Sequence, residues 1–337
     1  MKLIKKLSVG LITGLIVFLN SCSEDDNSSH EDTELPDSIV IDESDYYPEG
    51  IVYNESEKVF YVGSIRKGKI IKIDLNGNQE IFADDETLVS VLGTIIDKTN
   101  NRLIVCNTNP GVSVKSDPAT IGQLAEIVMY NLSNGNKIGT VDLTEVAPQG
   151  RHLANDLTVD TEGNIYITDS FSSIIYKVDL LGNATVLVND TLFSAPEGLF
   201  GLNGIIYHPD NYLIVGKYDE GKLFKVSLDA SNDITEISLS GSVNTVDGLL
   251  LTDNNTLILA SNNITGADFE EAIYEITTKD NWETATISNT FLTPQGTFPT
   301  TLDIIESNLY VVYSSLSSLF GGITPPIEEF PIQKISF

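Results

Sequence analysis

Between Arg151 and Asp179 the chain reads RHLANDLTVDTEGNIYITDSFSSIIYKVD, three short apolar runs separated by polar turn formers. Asn155-Asp156 opens the first run, the turn Asp160–Asn164 leads into Ile165–Thr168, and Ser172-Ser173 leads into Ile174–Val178. Alternating β-branched and aromatic residues between such turns predict successive antiparallel strands. The same pattern recurs five more times. Glu49–Val52 leads to Val59–Val62 and Ile70–Ile73, and Leu92–Ile95 leads to Arg102–Cys106 and, after an insertion, Ile127–Asn131. Leu202–Ile205 leads to Tyr212–Val215 and Leu223–Val226, and Val246–Leu249 leads to Thr256–Ala260 and Ala272–Ile276. Thr300–Asp303 leads to Asn308–Val312 and Ile332–Ile335. The copies start near residues 49, 93, 155, 203, 247 and 301, a spacing of about 44 to 62 residues that matches a propeller blade. One such four-stranded sheet cannot bury both its faces alone, whereas six arranged radially can. The expected fold is therefore an all-β, six-bladed β-propeller with four-stranded antiparallel blades.

The segments between repeats refine this picture. Ser38–Ile41 reads as a strand ahead of the first repeat, expected to close the ring by pairing with Ile332–Ser336. Asn107–Leu124, rich in Pro, Gly and Ser, interrupts the second repeat and is a candidate lid over a central pocket. Asn262–Glu271 is a smaller insertion, and Ser314–Phe330, with Gly321-Gly322 and Pro325-Pro326, is a second long loop. The single tryptophan, Trp282, falls near the outer edge of the fifth blade.

Composition changes the picture at two points. The formal charge of −29 over 337 residues argues against nucleic-acid binding, which needs basic patches to neutralise phosphate. Residues 1–21 read as a leader: Lys2, Lys5 and Lys6 precede the apolar run Leu7–Leu19, too short to span a bilayer. Leu19-Asn20-Ser21-Cys22 resembles a bacterial lipobox with Cys22 as the lipidated residue, and Ser23–Asp26 resembles an acidic export tag. The expectation is an outer-membrane lipoprotein facing the cell surface or the periplasm, with an acidic tether over 22–37 and a monomeric propeller over 38–337. Only Cys106 remains besides the anchor, so no intramolecular disulfide is expected, and its apolar run marks it as a buried small hydrophobe.

In a propeller the innermost strands run beside a central channel, so residues at one repeat position converge on one axis. That position reads Glu49, Gly93 or Thr94, Asn155, Asn203, Asp247, and Thr300 or Thr301. Any one of these is an ordinary strand-opening residue. Two carboxylates and two amide carbonyls in one register instead suit one hard divalent cation, with water completing the shell. The scarcity of Cys and His there argues against structural zinc.

The stretches Pro48–Tyr53, Ala154–Asp160, Leu202–Asp210 and Val246–Leu249 resemble the senescence-marker-protein/gluconolactonase/regucalcin-like propellers, with paraoxonases and strictosidine synthases as more distant relatives. The resemblance covers roughly residues 46–290. It implies a calcium-type cation held by Glu49, Asn203 and Asp247, with Asn155 on the substrate side and also contacting the metal. It implies opening of lactones or cleavage of esters, with Asp247 as the base that activates water. Two departures stand out. The arginine that sugar-lactonase members carry two residues before the blade 3 asparagine is replaced by Leu153, the nearest arginine being Arg151. The paraoxonase histidine pair of blade 2 is missing from Val89–Asn109.

Of the remaining candidates, His152 lies three residues before Asn155 and is a possible general base, while His208 reads as a turn element. Asp156 is a candidate support for the neighbouring amide, and Tyr46 and Tyr47 are candidates for stacking on a ligand at the channel mouth. No nucleophile-elbow motif is present, which argues against covalent serine chemistry. The primary expectation is a cation-dependent hydrolase of a small-molecule lactone or ester. The alternative is a surface-anchored propeller that binds a small molecule, glycan or partner protein without turnover.

Overall fold

Each of the six repeats folds into one antiparallel sheet whose strands pair in chain order. The computed structural model describes residues 34–264, 266 and 269–337. The leader, Cys22 and the tether up to residue 33 lie outside the described residues. Blade 1 comprises Pro48–Asn54, Val59–Ser64, Ile70–Asp74 and Gln79–Ala83. Blade 2 comprises Ser90–Asp97, Arg102–Thr108, Ala125–Asn131 and Lys137–Asp142. Blade 3 comprises Ala154–Val159, Ile165–Asp169, Ile174–Val178 and Ala184–Asn189. Blade 4 comprises Leu202–His208, Tyr212–Lys217, Lys222–Ser227 and Ile234–Glu236. Blade 5 comprises Leu249–Asp253, Thr256–Ser261, Ala272–Thr277 and Thr284–Leu292, and blade 6 begins with Pro299–Ile305 and Asn308–Tyr313.

Blade 6 is completed from both ends of the domain. Glu329–Ile335 supplies its third strand, and Ser38–Asp42 pairs antiparallel beside it, with Ile39 opposite Ile332 and Ile41 opposite Phe330. The predicted closure is therefore the observed one. Blade 5 departs from four strands, because Ser238–Ser240 runs parallel to its edge strand Thr284–Leu292 as a fifth. Among the described residues helix is confined to short turns such as Leu316–Phe320, and none is long and apolar enough to cross a membrane.

The first strand of every blade touches the first strands of both neighbouring blades, which makes these strands the channel wall. The core lies between blades rather than within them. Tyr61 and Ile70 of blade 1 pack with Val91, Leu103 and Val128 of blade 2. Ile214 and Leu223 of blade 4 pack with Leu257, Leu259 and Trp282 of blade 5. A second strand thus has both faces covered, and Arg102–Thr108 is buried at every residue. The outer strand Lys137–Asp142 keeps the alternation of a half-solvated edge. Trp282 is fully buried and donates its indole N–H to the Asn254 carbonyl at 2.9 Å, so the tryptophan near the rim is an anchor between blades.

The turns are written into the sequence as a repeated Asp-x-x-Gly-Asn. In Asp160–Asn164 the Asp160 carboxylate accepts the backbone N–H groups of Glu162 and Asn164 and the Asn164 amide. Gly163 takes the left-handed φ of 86° that only glycine adopts without strain. Asp74–Asn78 and Asp179–Asn183 repeat these bonds.

Candidate metal centre in the central channel

At one point in the innermost strands of five blades the pairing register slips by a residue. The slips fall between Pro48 and Ile51, Val91 and Thr94, Ala154 and Leu157, Leu202 and Ile205, and Pro299 and Leu302. Each bulge holds two residues and re-aims their side chains. The first residue of each pair is Glu49, Leu92, Asn155, Asn203 and Thr300, and Asp247 holds the same place just before the inner strand of blade 5. The second is Gly50, Gly93, Asp156, Gly204, Thr301 and Gly248. Where it is glycine the backbone abuts the next blade. A Cβ on Gly93 would lie 2.6 Å from the Asn155 carbonyl oxygen and 2.7 Å from the Asp156 Cα.

The aligned bulges correct one expectation. In blade 2 the residue at the ligand position is Leu92, an apolar side chain, rather than Gly93 or Thr94. In blade 6 it is Thr300, whose hydroxyl pairs with Ser314 at 2.6 Å and reaches the Glu49 carbonyl at 2.8 Å instead of the channel. Glu49, Asn155, Asn203 and Asp247 all line one pocket, and each is only 5–6% exposed.

Two of these side chains, Asn155 and Asp247, are oriented by neighbours that sequence reasoning did not single out. Asn155 donates its amide N–H to Ser170 Oγ at 2.7 Å, so its Oδ1 is turned away from that partner. Asn262 donates to Asp247 Oδ2 and to the Pro299 carbonyl at 2.8 Å, while its own Oδ1 accepts from the Tyr218 hydroxyl at 2.7 Å. Ser170 and Asn262 each follow the second strand of a blade, one strand over from the repeat position that carries the sequence signal. Asp156 does not hold the Asn155 amide. Its carboxylate accepts the Leu157 N–H at 2.8 Å and, across the blade boundary, the Ile205 N–H at 3.3 Å.

The electrostatics are those of negative charge withheld from water. Burial pushes the Glu49 carboxyl well above the usual range, and Asp247 and Asp156 add repulsion. Burial likewise raises Asp247 to about 7, against the Asn262 hydrogen bond and with Asp156 adding to the rise. Asp156, although its surface is only partly covered, is raised to about 7 by the same loss of water. Two buried acceptors, Glu49 Oε2 and Asn155 Oδ1, have no hydrogen-bond partner. An unpaired buried carboxylate oxygen is costly. A hard cation relieves both the unpaired acceptors and the repulsion, so the donor set fits one. Among the described residues no group of three or more His, Cys, Asp or Glu side chains is placed to hold a metal; two of the four oxygens here are amide carbonyls.

Other sequence candidates are not brought to the pocket. His152 is buried in blade 3, with Nδ1 2.7 Å from Asp169 Oδ2 and 3.2 Å from the Tyr176 hydroxyl. Tyr46 and Tyr47 are core residues, and the Tyr46 hydroxyl donates to the Val62 carbonyl at 2.9 Å. His208 stacks on Tyr212 at 4.2 Å and accepts the Asp210 N–H, the turn role expected of it. The blade 2 insertion does reach the pocket through Pro110, and the blade 6 loop reaches it through Leu316 and Phe320.

The same architecture appears in solved structures of low identity. The Malassezia sympodialis allergen Mala s 1 superposes with a TM-score of 0.71 at 18% identity, over 90% of this chain and 96% of the allergen. A gluconolactonase from Xanthomonas campestris gives 0.57 at 14% identity, over 89% and 91%. A calcium-binding protein, regucalcin, from Agrobacterium tumefaciens gives 0.57 at 14%, over 89% and 94%. At such identities the likeness shows the fold alone. Comparison with curated protein sequences finds no match. The family model for the SMP-30/Gluconolactonase/LRE-like region matches residues 47–267, well over half the chain and all four candidate ligands, and the protein belongs to that family.

Proposed function

We propose that the protein hydrolyses a lactone or ester with the help of one divalent cation, calcium, held by Glu49, Asn155, Asn203 and Asp247. The observation that carries the proposal is the pair of partnerless buried acceptors, Glu49 Oε2 and Asn155 Oδ1, in a pocket shared with two further oxygen donors. Family membership and the gluconolactonase fold support it. When bound, the cation supplies the positive charge that polarises a substrate carbonyl. Asn155, fixed by Ser170, sets the direction of one acceptor. Asp247, whose orientation Asn262 fixes, would take the proton from the attacking water. His152 has no part in this scheme, because it does not line the pocket that holds the four oxygens.

The test is hydrolysis of a panel of aryl esters and lactones by the full chain, with calcium, with excess chelator, and with Asp247→Asn. Calcium-dependent turnover lost in the variant is the expected result. Turnover that survives both chelator and substitution would overturn it. A second reading, a binding propeller without turnover, is favoured by one observation: among the described residues no Arg, Lys or His lines the pocket. A calcium response without hydrolysis of any substrate would select it. The lipobox-like run ending at Cys22 supports the further proposal of tethering at the outer membrane, checked by loss of lipid labelling in Cys22→Ala.

A further inference from the structure

We propose that the substrate or ligand carries an apolar ring or acyl chain, and that sugar lactones are excluded. This rests on the reading of Glu49, Asn155, Asn203 and Asp247 as the polar end of the site. Those four are the polar side chains of the pocket apart from Tyr218, whose hydroxyl is already given to Asn262 at 2.7 Å. Everything else on the walls is apolar, with Ile65, Leu92, Leu153 and Phe298 among it. Leu153, two residues before Asn155, is buried and adds to this apolar wall. The pocket itself has a volume of only about 40 Å³, enough for a carbonyl group, and an adjoining cavity has about 600 Å³, room for a ring or an acyl chain. A polyhydroxylated ring against the apolar wall would lose water from several hydroxyls and find no donors or acceptors beyond the cation ligands. Each hydroxyl so stranded costs roughly tenfold or more in affinity.

The apolar surface also continues outward. Phe200, Tyr218, Ile264 and Phe320 belong both to this pocket and to the adjoining cavity, where Leu199 and Phe269 extend the apolar wall opposite a polar edge of Asp219, Asn244 and Thr245. Phe200 is the hub: it stacks on Phe171 at 5.6 Å and meets Tyr218 and Phe320 edge-on at 6.2 Å each. Phe200 and Phe320 are only partly covered, so the cluster presents aromatic surface at the mouth instead of hiding it in the core. They come from the blade 3–4 connection and the blade 6 loop, segments outside the repeated strands. An apolar substituent extending from a carbonyl held at the four oxygens would lie along this wall.

The experiment measures binding and turnover separately, on the full chain with millimolar calcium. Calorimetry compares phenylacetate and octanoate with gluconate, three carboxylates that cannot be hydrolysed. Kinetics compares phenyl acetate and γ-nonalactone with δ-gluconolactone. We expect phenylacetate and octanoate to bind at least tenfold tighter than gluconate. Phe200→Ala and Phe320→Ala should each reduce that preference about fivefold or more without altering the calcium-induced rise in Tm, which also reports that each variant is folded. Gluconate binding as tight as phenylacetate, or an undiminished preference in both variants, overturns the inference. If the preference holds and nothing is hydrolysed, the hydrolase reading fails and the apolar site stands. If δ-gluconolactone is the best substrate, the hydrolase reading stands and this inference fails.

Discussion

Replacing Asp247 with asparagine should raise the metal-free stability and remove most of the stabilisation that calcium gives. In the metal-free protein the Asp247 carboxyl is raised from an ordinary 3.8 to about 7 by burial and by Asp156. At about 1.4 kcal/mol per decade of proton affinity, the ionised form costs up to about 4 kcal/mol at pH 8. The sign follows from proton binding. Between pH 4 and 7 the folded state holds a proton that the unfolded state has lost, so the stability from this group is present at low pH and disappears as pH rises through 7. Asparagine removes that cost, so metal-free Asp247→Asn should melt higher than wild type at pH 8. Calcium at a hundredfold excess over its dissociation constant stabilises wild type by about 2.7 kcal/mol. For a domain of about 300 residues that is a rise of about 5 °C. A variant with a hundredfold weaker site keeps only about 0.4 kcal/mol at the same concentration, a rise of about 1 °C. Scanning calorimetry at pH 8, with chelator and then with calcium, reads both effects. An equal calcium shift in wild type, Glu49→Gln and Asp247→Asn would refute the assignment of these oxygens. Lower metal-free stability in Asp247→Asn would refute the electrostatic account.

Three other outcomes follow from local geometry. Gly93→Ala should lower stability by about 1–3 kcal/mol in urea titration, because its Cβ would press on the backbone of Asn155 and Asp156 in the next blade. Trp282→Ala should cost about 3–5 kcal/mol, since it empties a fully buried site between blades 4 and 5 and leaves the Asn254 carbonyl with His208 as its remaining partner. Burial opposes the charge of Asp97, but hydrogen bonds from Asn100 and Arg102 outweigh it and hold the carboxyl below its usual 3.8. Its contribution is present above pH 4 and lost as pH falls through the depressed value. Asp97→Asn should therefore lose stability less steeply below pH 4 than wild type, as followed by circular dichroism.

The fold was legible because the repeat is a covalent pattern: polar turns, with Asp-x-x-Gly-Asn in blades 1 and 3, and alternating strands specify each blade locally, and six copies specify the ring. The four oxygen donors were legible for the same reason, since one position read across repeats is one position around an axis. Blade 2 shows where that reading slips. Leu92-Gly93-Thr94 offers three residues for one place, and only the bulge between Val91 and Thr94 shows that the glycine matches Gly50 and the leucine matches Glu49. A bulge shifts side chains by one residue without leaving a compositional mark. His152 was misplaced for a related reason. Three residues before Asn155 is close in sequence, but its partner Asp169 lies on the adjacent strand and takes the imidazole away from the pocket. Ser170, Asn262 and the Phe200 wall sit after second strands or in connections, where no repeat marks them.

The bulge that aims a ligand also ties it to the next blade, and this gives blade 6 a role although it contributes no ligand. Thr300 and Thr301 both donate their hydroxyls to the Glu49 carbonyl at 2.8 Å, and Asp303 accepts the Tyr53 N–H at 2.7 Å. The backbone that presents Glu49 is thus fastened by the blade that Ser38–Asp42 and Glu329–Ile335 complete. Across the ring, Asp156 and Thr158 fasten Ile205 and Tyr207 in the same way, beside Asn203. Glu49 and Asn203 are therefore each positioned by their own bulge and by the preceding blade. The four-oxygen arrangement exists as a geometry only when the ring is closed, so the strand that seals the propeller is also part of what holds Glu49 in place.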